Sequence, residues 1–120
     1  MLHLSASCNY YYCDTPTDMR KGFDSLSGLV SQHMQLNVLT GSIFIFINKK
    51  RNQVKLLLWE GDGFALYYKR LEQGTYEKPT LYNDSMQITY QQLQFILQGI
   101  QLKSVRMKKR YQPMSVNKAV

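Results

Sequence analysis

Eight carboxylates, two histidines and two cysteines are the groups of this 120-residue chain that could hold a metal or act as acid, base or nucleophile. The acids, Asp14, Asp18, Asp24, Glu60, Asp62, Glu72, Glu77 and Asp84, are scattered, and none stands in the acid-x-Lys pattern at a strand end that many metal-dependent nucleases use. Asp14 and Asp18 lie beside a helix-start signal and Asp62 inside a turn signal, so local structure already claims them. His3 and His33 are far apart, and neither has a zinc-like spacing to Cys8 or Cys13. His33 is expected on the flank of a helix. Gly61-Asp62-Gly63 is too short a match for a phosphate-binding loop. No catalytic residue, metal or cofactor is expected, and the chain reads as something other than an enzyme.

Aromatic rings interleaved with cations point to a different chemistry. Residues 59–71 read WEGDGFALYYKRL, and rings on a hairpin can stack on bases while lysine and arginine meet phosphates. With Asp62-Gly63 at the centre of a two-residue turn, Trp59 would face Leu66, Leu57 would face Tyr68, and Lys55 would face Arg70. One hairpin face then carries Lys55, Leu57, Trp59, Leu66, Tyr68 and Arg70. The other carries Val54, Leu56, Leu58, Tyr67 and Leu71, with Lys69 and Glu60. The aliphatic face belongs against helices, which leaves the mixed face for a partner. Like charges opposite one another cost up to about 1 kcal/mol, and an anion between them would relieve it. The alternative is a core Trp59 with both cations snorkelling outward. Arg20 and Lys21 near a helix start suggest a phosphate cradle, against which stands an ordinary Arg20–Asp24 ion pair.

The elements that must position these groups are legible in outline. Residues 4–13 suit a first strand. TPTD at 15–18 signals a helix start, with Thr15 as N-cap, Pro16 at the first helical position and Asp18 closing a capping box. Met19, Phe23, Leu26, Val30 and Met34, with Leu29 beside them, then predict an amphipathic helix over 16–34. IFIFI and VKLLLW, separated by NKKRNQ, predict a hairpin, and the stretch at 53–71 predicts a second. Gly74 ends this strand, and TYEKPTLY offers a short edge piece bounded by Pro79. A last helix begins at Thr89, where Gln92 offers a second capping box, and stops at Gly99. The order is that of an α+β fold with a mostly antiparallel sheet and two amphipathic helices.

A chain of this length with 44% apolar residues fits a single domain, here residues 1–100, followed by a basic tail at 101–120. Of the seven net positive charges, six lie in that tail: Lys103, Arg106, Lys108, Lys109, Arg110 and Lys118, with no acid among them. Such a segregated cluster suits a polyanion, because each neutralised phosphate releases counterions, although a solvated tail that only aids solubility has the same composition. No run reaches the length of a membrane span, the start lacks the pattern of a secretory leader, and the two cysteines are spaced against pairing with each other. A soluble, cytoplasmic protein with free thiols is expected.

Two blocks, PTDMRKGFDSLSGLV at 16–30 and LLLWEGDGFALYYKRLEQGTYEKP at 56–79, in this order and about 25 residues apart, resemble the TnpB accessory proteins of insertion sequences of the IS-sixty-six type. The resemblance covers roughly residues 4–100. Glu60 stands where that family usually has aspartate, Gln73 where a basic residue is common, and Tyr76-Glu77-Lys78 where an aromatic tends to precede the proline. It marks Asp18, Arg20, Lys21, Gly22, Phe23, Trp59, Gly61, Asp62, Gly63, Tyr68, Lys69, Arg70 and Leu71 as signature positions and gives none a chemical role. It implies a part in transposition of a mobile DNA element beside a separate, larger transposase that carries the catalytic acids. The expected function is therefore a non-enzymatic accessory that binds DNA, at element ends or nonspecifically. Arg20, Lys21, Lys55, Lys69, Arg70, Lys103, Arg106, Lys108, Lys109 and Arg110 would meet phosphates, and Trp59 and Tyr68 would meet bases. The alternatives are a protein adaptor docking the transposase or a second copy of the chain, and a small metal-dependent nuclease.

Overall fold

The computed structural model describes residues 4–98, 100–101 and 106–107. Strand β1 (Tyr10–Tyr12) leads to helix α1 (Phe23–Gly28), which widens into a π-helical turn at Leu29–His33. Strands β2 (Ile43–Ile47), β3 (Gln53–Trp59) and β4 (Phe64–Arg70) form a meander, followed by β5 (Gln87–Ile88) and helix α2 (Tyr90–Gln98). The short strands β6 (Ile100–Gln101) and β7 (Arg106–Met107) pair with each other. The main sheet has the order β4-β3-β2-β1-β5, with β1 parallel to β2 and the other pairings antiparallel. This is the expected α+β architecture with a mostly antiparallel sheet. No described helix is long and apolar enough to cross a membrane.

Strand β2 explains the two-sided core. Its IFIFI run is buried at every position, as a strand covered on both faces must be. The isoleucines enter one cluster with Tyr10, Tyr12, Val54, Leu56, Tyr76, Leu93 and Ile96, which brings in α2. Phe44 and Phe46 enter the other, with Cys13, Leu26, Val30, Met34 and Leu57, which brings in α1 and its π-helical extension. Strict alternation of side chains along a strand separates the two sets.

The first helix is shorter than the expected span of 16–34. The chain after β1 keeps following β2 instead: Cys13 N–H donates to the Ile45 carbonyl at 2.9 Å and Thr17 N–H to the Ile47 carbonyl at 3.0 Å. Pro16, which lacks a donor, therefore sits in extended chain, and the Thr15–Asp18 capping box does not form. The Asp18 side chain instead accepts from the Arg20 backbone N–H at 2.9 Å. Gly22 is the residue that precedes α1, so Phe23, expected in the buried stripe, lies at the helix start and is 47% exposed. The second capping box forms as expected. Gln92 N–H donates to Thr89 Oγ1 at 3.0 Å, and Thr89 N–H donates to Gln92 Oε1 at 2.9 Å.

The turn between β3 and β4 also differs. Glu60 N–H donates to the Gly63 carbonyl, which puts Gly61 and Asp62 at the centre, and Gly61 supplies the positive φ of +95°. Moving the centre by one residue moves the pairing by two. Trp59 therefore faces Phe64, Leu57 faces Leu66, Lys55 faces Tyr68, and Arg70 faces Gln53. A shift of two keeps every side chain on its expected face. The segment with TYEKPTLY is not a strand; it is irregular chain that buries Tyr76 in the cluster of the β2 isoleucines.

Candidate nucleic-acid interface

The mixed face of the hairpin is the one that α1 covers, and this fixes what its polar residues can do. Leu57 is fully buried under α1, and Phe64 and Leu66 pack beside it. Lys55, 6% exposed, donates through Nζ to the carbonyls of Met19 at 2.8 Å and Lys21 at 2.7 Å. Its ammonium also lies 4.7 Å from the centre of the Tyr68 ring, a cation–π contact. Three donors are thus spent on backbone acceptors and a ring, so Lys55 holds the 19–21 segment rather than presenting a charge. The expected opposition of Lys55 and Arg70 is replaced by Lys55 with Tyr68, and the repulsion argument lapses with it. Arg70 is exposed and turns to Glu72 at 3.4 Å.

A groove of about 690 Å³ opens beside this tie. One wall is the 16–20 segment, and the other is the β2–β3 turn with Gln53 and Tyr68. The turn is stiff because Asn48 Oδ1 accepts from the backbone N–H of Asn52 and of Gln53, both at 3.0 Å. Gln53 in turn accepts from the Tyr68 hydroxyl. Cations Arg20, Lys49 and Lys50 line the groove and are exposed. Inside it Thr17 is only 4% exposed, and its hydroxyl has no hydrogen-bond partner among the described residues.

Two of the charged residues lining the groove, Arg20 and Asp18, form an ion pair. Arg20 donates through Nε to Asp18 Oδ1 at 3.1 Å and through its terminal nitrogen to Oδ2 at 2.6 Å. These hydrogen bonds hold the Asp18 carboxyl down to about 2 and raise the Arg20 pKa further. Arg20 therefore pairs with Asp18, not with Asp24. A second cavity of about 300 Å³ shares Pro16, Asn48 and Lys49 with the groove and is lined also by Tyr12, Asp14, Arg51 and Lys78. Burial, the largest cause, pushes the Tyr12 hydroxyl up to about 12.

Of the residues singled out from sequence, the fold brings Arg20 and Tyr68 together in the groove. Lys21 is half-buried beside it, with its carbonyl on Lys55. Trp59 is half-buried at the far end of the hairpin, edge-on to Phe64 with ring centres 4.9 Å apart. Lys69 is exposed and pairs with Val54, on the opposite sheet face from Tyr68. Arg106 lies in β7, while Lys103, Lys108, Lys109 and Arg110 fall outside the described residues. Lys49, Lys50, Arg51 and Lys78 were missed. The signal was present: KKR at 49–51 is the densest basic run before residue 100, masked by its turn-like composition. Also unforeseen is the meeting of Cys13, Asp14 and His33, where His33 Nε2 lies 2.9 Å from Asp14 Oδ1.

The groove joins the two sequence blocks that carry the resemblance, since Asp18, Met19 and Arg20 come from one and Tyr68 from the other. A family model described as IS66 Orf2 like protein matches residues 8–107. The chain belongs to this family. An accessory role in transposition follows from that membership. Among curated relatives of this IS66 Orf2 like chain, the uncharacterized protein y4hO of Sinorhizobium fredii (strain NBRC 101917 / NGR234) is 36% identical over 84 residues, 70% of this chain and 73% of that protein. The uncharacterized protein y4jC of the same organism is 26% identical over 101 residues, 84% of this chain and 86% of that protein. No solved structure gives a significant match.

Proposed function

We propose that the protein is a non-enzymatic, DNA-binding accessory of transposition that works beside a separate transposase and seats the nucleic-acid backbone in the groove between residues 16–20 and the 48–53 turn. The observation that carries this reading is the groove itself, lined by the exposed cations Lys49, Lys50 and Arg20. Lys49 and Lys50 form no ion pair among the described residues, and Arg20, paired with Asp18, stands opposite them. A phosphate of the backbone would lie over the groove, where these cations neutralise its charge. Tyr68, 52% exposed, adds a ring on which a base can stack. Contacts of this kind position a backbone and leave sequence choice to other residues or to the transposase.

A mobility-shift series tests it. Full-length protein is titrated onto element ends and onto random duplex at several salt concentrations, with and without transposase. The expected result is salt-dependent retardation of both DNAs that weakens in a Lys49→Ala/Lys50→Ala double variant. Absence of any salt-dependent binding at low ionic strength would end this reading.

A second reading, an adaptor for the transposase or for another copy of the chain, is favoured by the position of β4. It is a seven-residue strand at the edge of the sheet, and an edge offers unpaired backbone groups to a partner strand. Replacement of Trp59 or Tyr67 separates the two. An adaptor loses capture of the transposase and keeps its DNA affinity.

A further inference from the structure

Cys13, Asp14 and His33 meet at one point although nineteen positions separate the aspartate from the histidine. Each offers a potential ligand atom, and the three atoms all lie within 4.8 Å of one another. Two features of the fold produce this. Cys13 is fixed as the continuation of β1, its N–H on the Ile45 carbonyl, and is 1% exposed. His33 is the last residue of the π-helical turn, closed by Met34 N–H on the Leu29 carbonyl at 2.9 Å. Such wide turns recur at functional sites because the extra residue re-aims the side chains that follow.

The geometry points to a metal site: we propose that Cys13, Asp14 and His33 bind a zinc-like divalent cation through thiolate, carboxylate and imidazole. This donor set is one that zinc and similar borderline ions accept, and three protein ligands leave a fourth position for water. Around a tetrahedral ion such donors stand about 3.3–3.5 Å apart. The His33–Asp14 contact, 2.9 Å, has to open by a few tenths of an ångström. The gap from the sulfur to the other two donors has to close by at most about 1.3 Å from the 4.8 Å limit. Asp14 and His33 are both exposed and can turn to do this, while the buried sulfur stays put. On binding, the Cys13 thiol gives its proton to solvent and the sulfur–metal bond forms in its place. The site is separate from the Thr17 groove, so it stands or falls independently of DNA binding.

Cobalt(II) is the probe, because a cobalt–thiolate bond gives a charge-transfer absorption in the near ultraviolet. Full-length protein, stripped of metal with a chelator, is titrated with cobalt(II). The absorption should saturate at one ion per chain, persist in Cys8→Ser and vanish in Cys13→Ser. His33→Ala and Asp14→Asn lie at exposed positions, should keep the circular dichroism of the natural sequence, and should weaken binding by about tenfold or more. Those two variants decide the matter should Cys13→Ser lose its fold. Absence of the absorption in the natural sequence, its loss in Cys8→Ser, or unchanged affinity in both His33→Ala and Asp14→Asn overturns the proposal.

Discussion

The Lys55 ammonium donates to the Lys21 carbonyl at 2.7 Å, and through that bond β3 holds the segment that carries Arg20. Met19 supplies the second acceptor at 2.8 Å. These two carbonyls precede α1, where the chain after β1 has stopped pairing alongside β2 and has not yet entered the helix. A buried lysine there closes off backbone groups that would otherwise lack partners. It also explains why two sequence blocks so far apart form one groove: the tie fixes one wall relative to the other.

Replacing Lys55 with methionine keeps the stem and removes the donors. The Met19 and Lys21 carbonyls then lose their partner, and the fold should lose about 1–3 kcal/mol, read as a lower denaturant midpoint. Where the variant is still folded, its DNA affinity should fall less than that of the Lys49→Ala/Lys50→Ala variant, whose salt slope should drop by about 1.8.

The Asp18 carboxyl, held at about 2 against an ordinary 3.8, is ionised throughout the neutral range. A depressed carboxyl contributes stability that is present above the unfolded value and is lost as pH falls through the folded one, so the Asp18–Arg20 pair should persist to about pH 2. Between pH 5 and 8, which lies above both values, Asp18 should therefore give DNA binding no pH dependence. Asp18→Asn should keep the acceptor for the Arg20 N–H and release the guanidinium. DNA affinity should rise a few-fold and the salt slope should steepen by about 0.9.

Glycines 61 and 63 should respond differently to alanine. Gly61 has φ +95°, where an L side chain is strained, and Gly61→Ala should cost about 1 kcal/mol. A Cβ on Gly63 meets nothing within 4 Å, and its φ lies outside the left-handed region, so Gly63→Ala should change stability by less than about 0.5 kcal/mol. Equal losses in thermal unfolding would contradict the turn centre described above.

Thr89→Ala should cost about 1 kcal/mol by removing the N-cap of α2. Gln92→Ala should cost more in the same denaturant titration, because Gln92 also donates to the Thr80 carbonyl at 3.1 Å and ties the 71–86 segment to the helix.

The capping box at Thr89 and Gln92, the IFIFI strand and the sharing of faces along the second hairpin were legible because each rests on neighbours within a few residues. Periodicity fixes which side chains share a face, and a turn misplaced by one residue leaves that sharing intact. The same local rules misjudged residues 15–22. There Thr15, Pro16 and Asp18 spell a helix start, but hydrogen bonds to Ile45 and Ile47, some thirty residues away, keep the chain extended. Lys55 looked like an outward cation because nothing local shows that α1 and the loop before it cover that face.

The sequence by itself determined the family, the α+β class and the alternation that splits the core in two, since all three depend on residue order and short-range spacing. Only the tertiary structure decided that Lys55 is a buried tie, that Thr17 is buried in the wall of a groove lined by cations, and that Cys13, Asp14 and His33 meet. Those facts depend on where distant backbone segments come to rest against β2 and β3, and packing and long-range hydrogen bonds settle that rather than any local pattern.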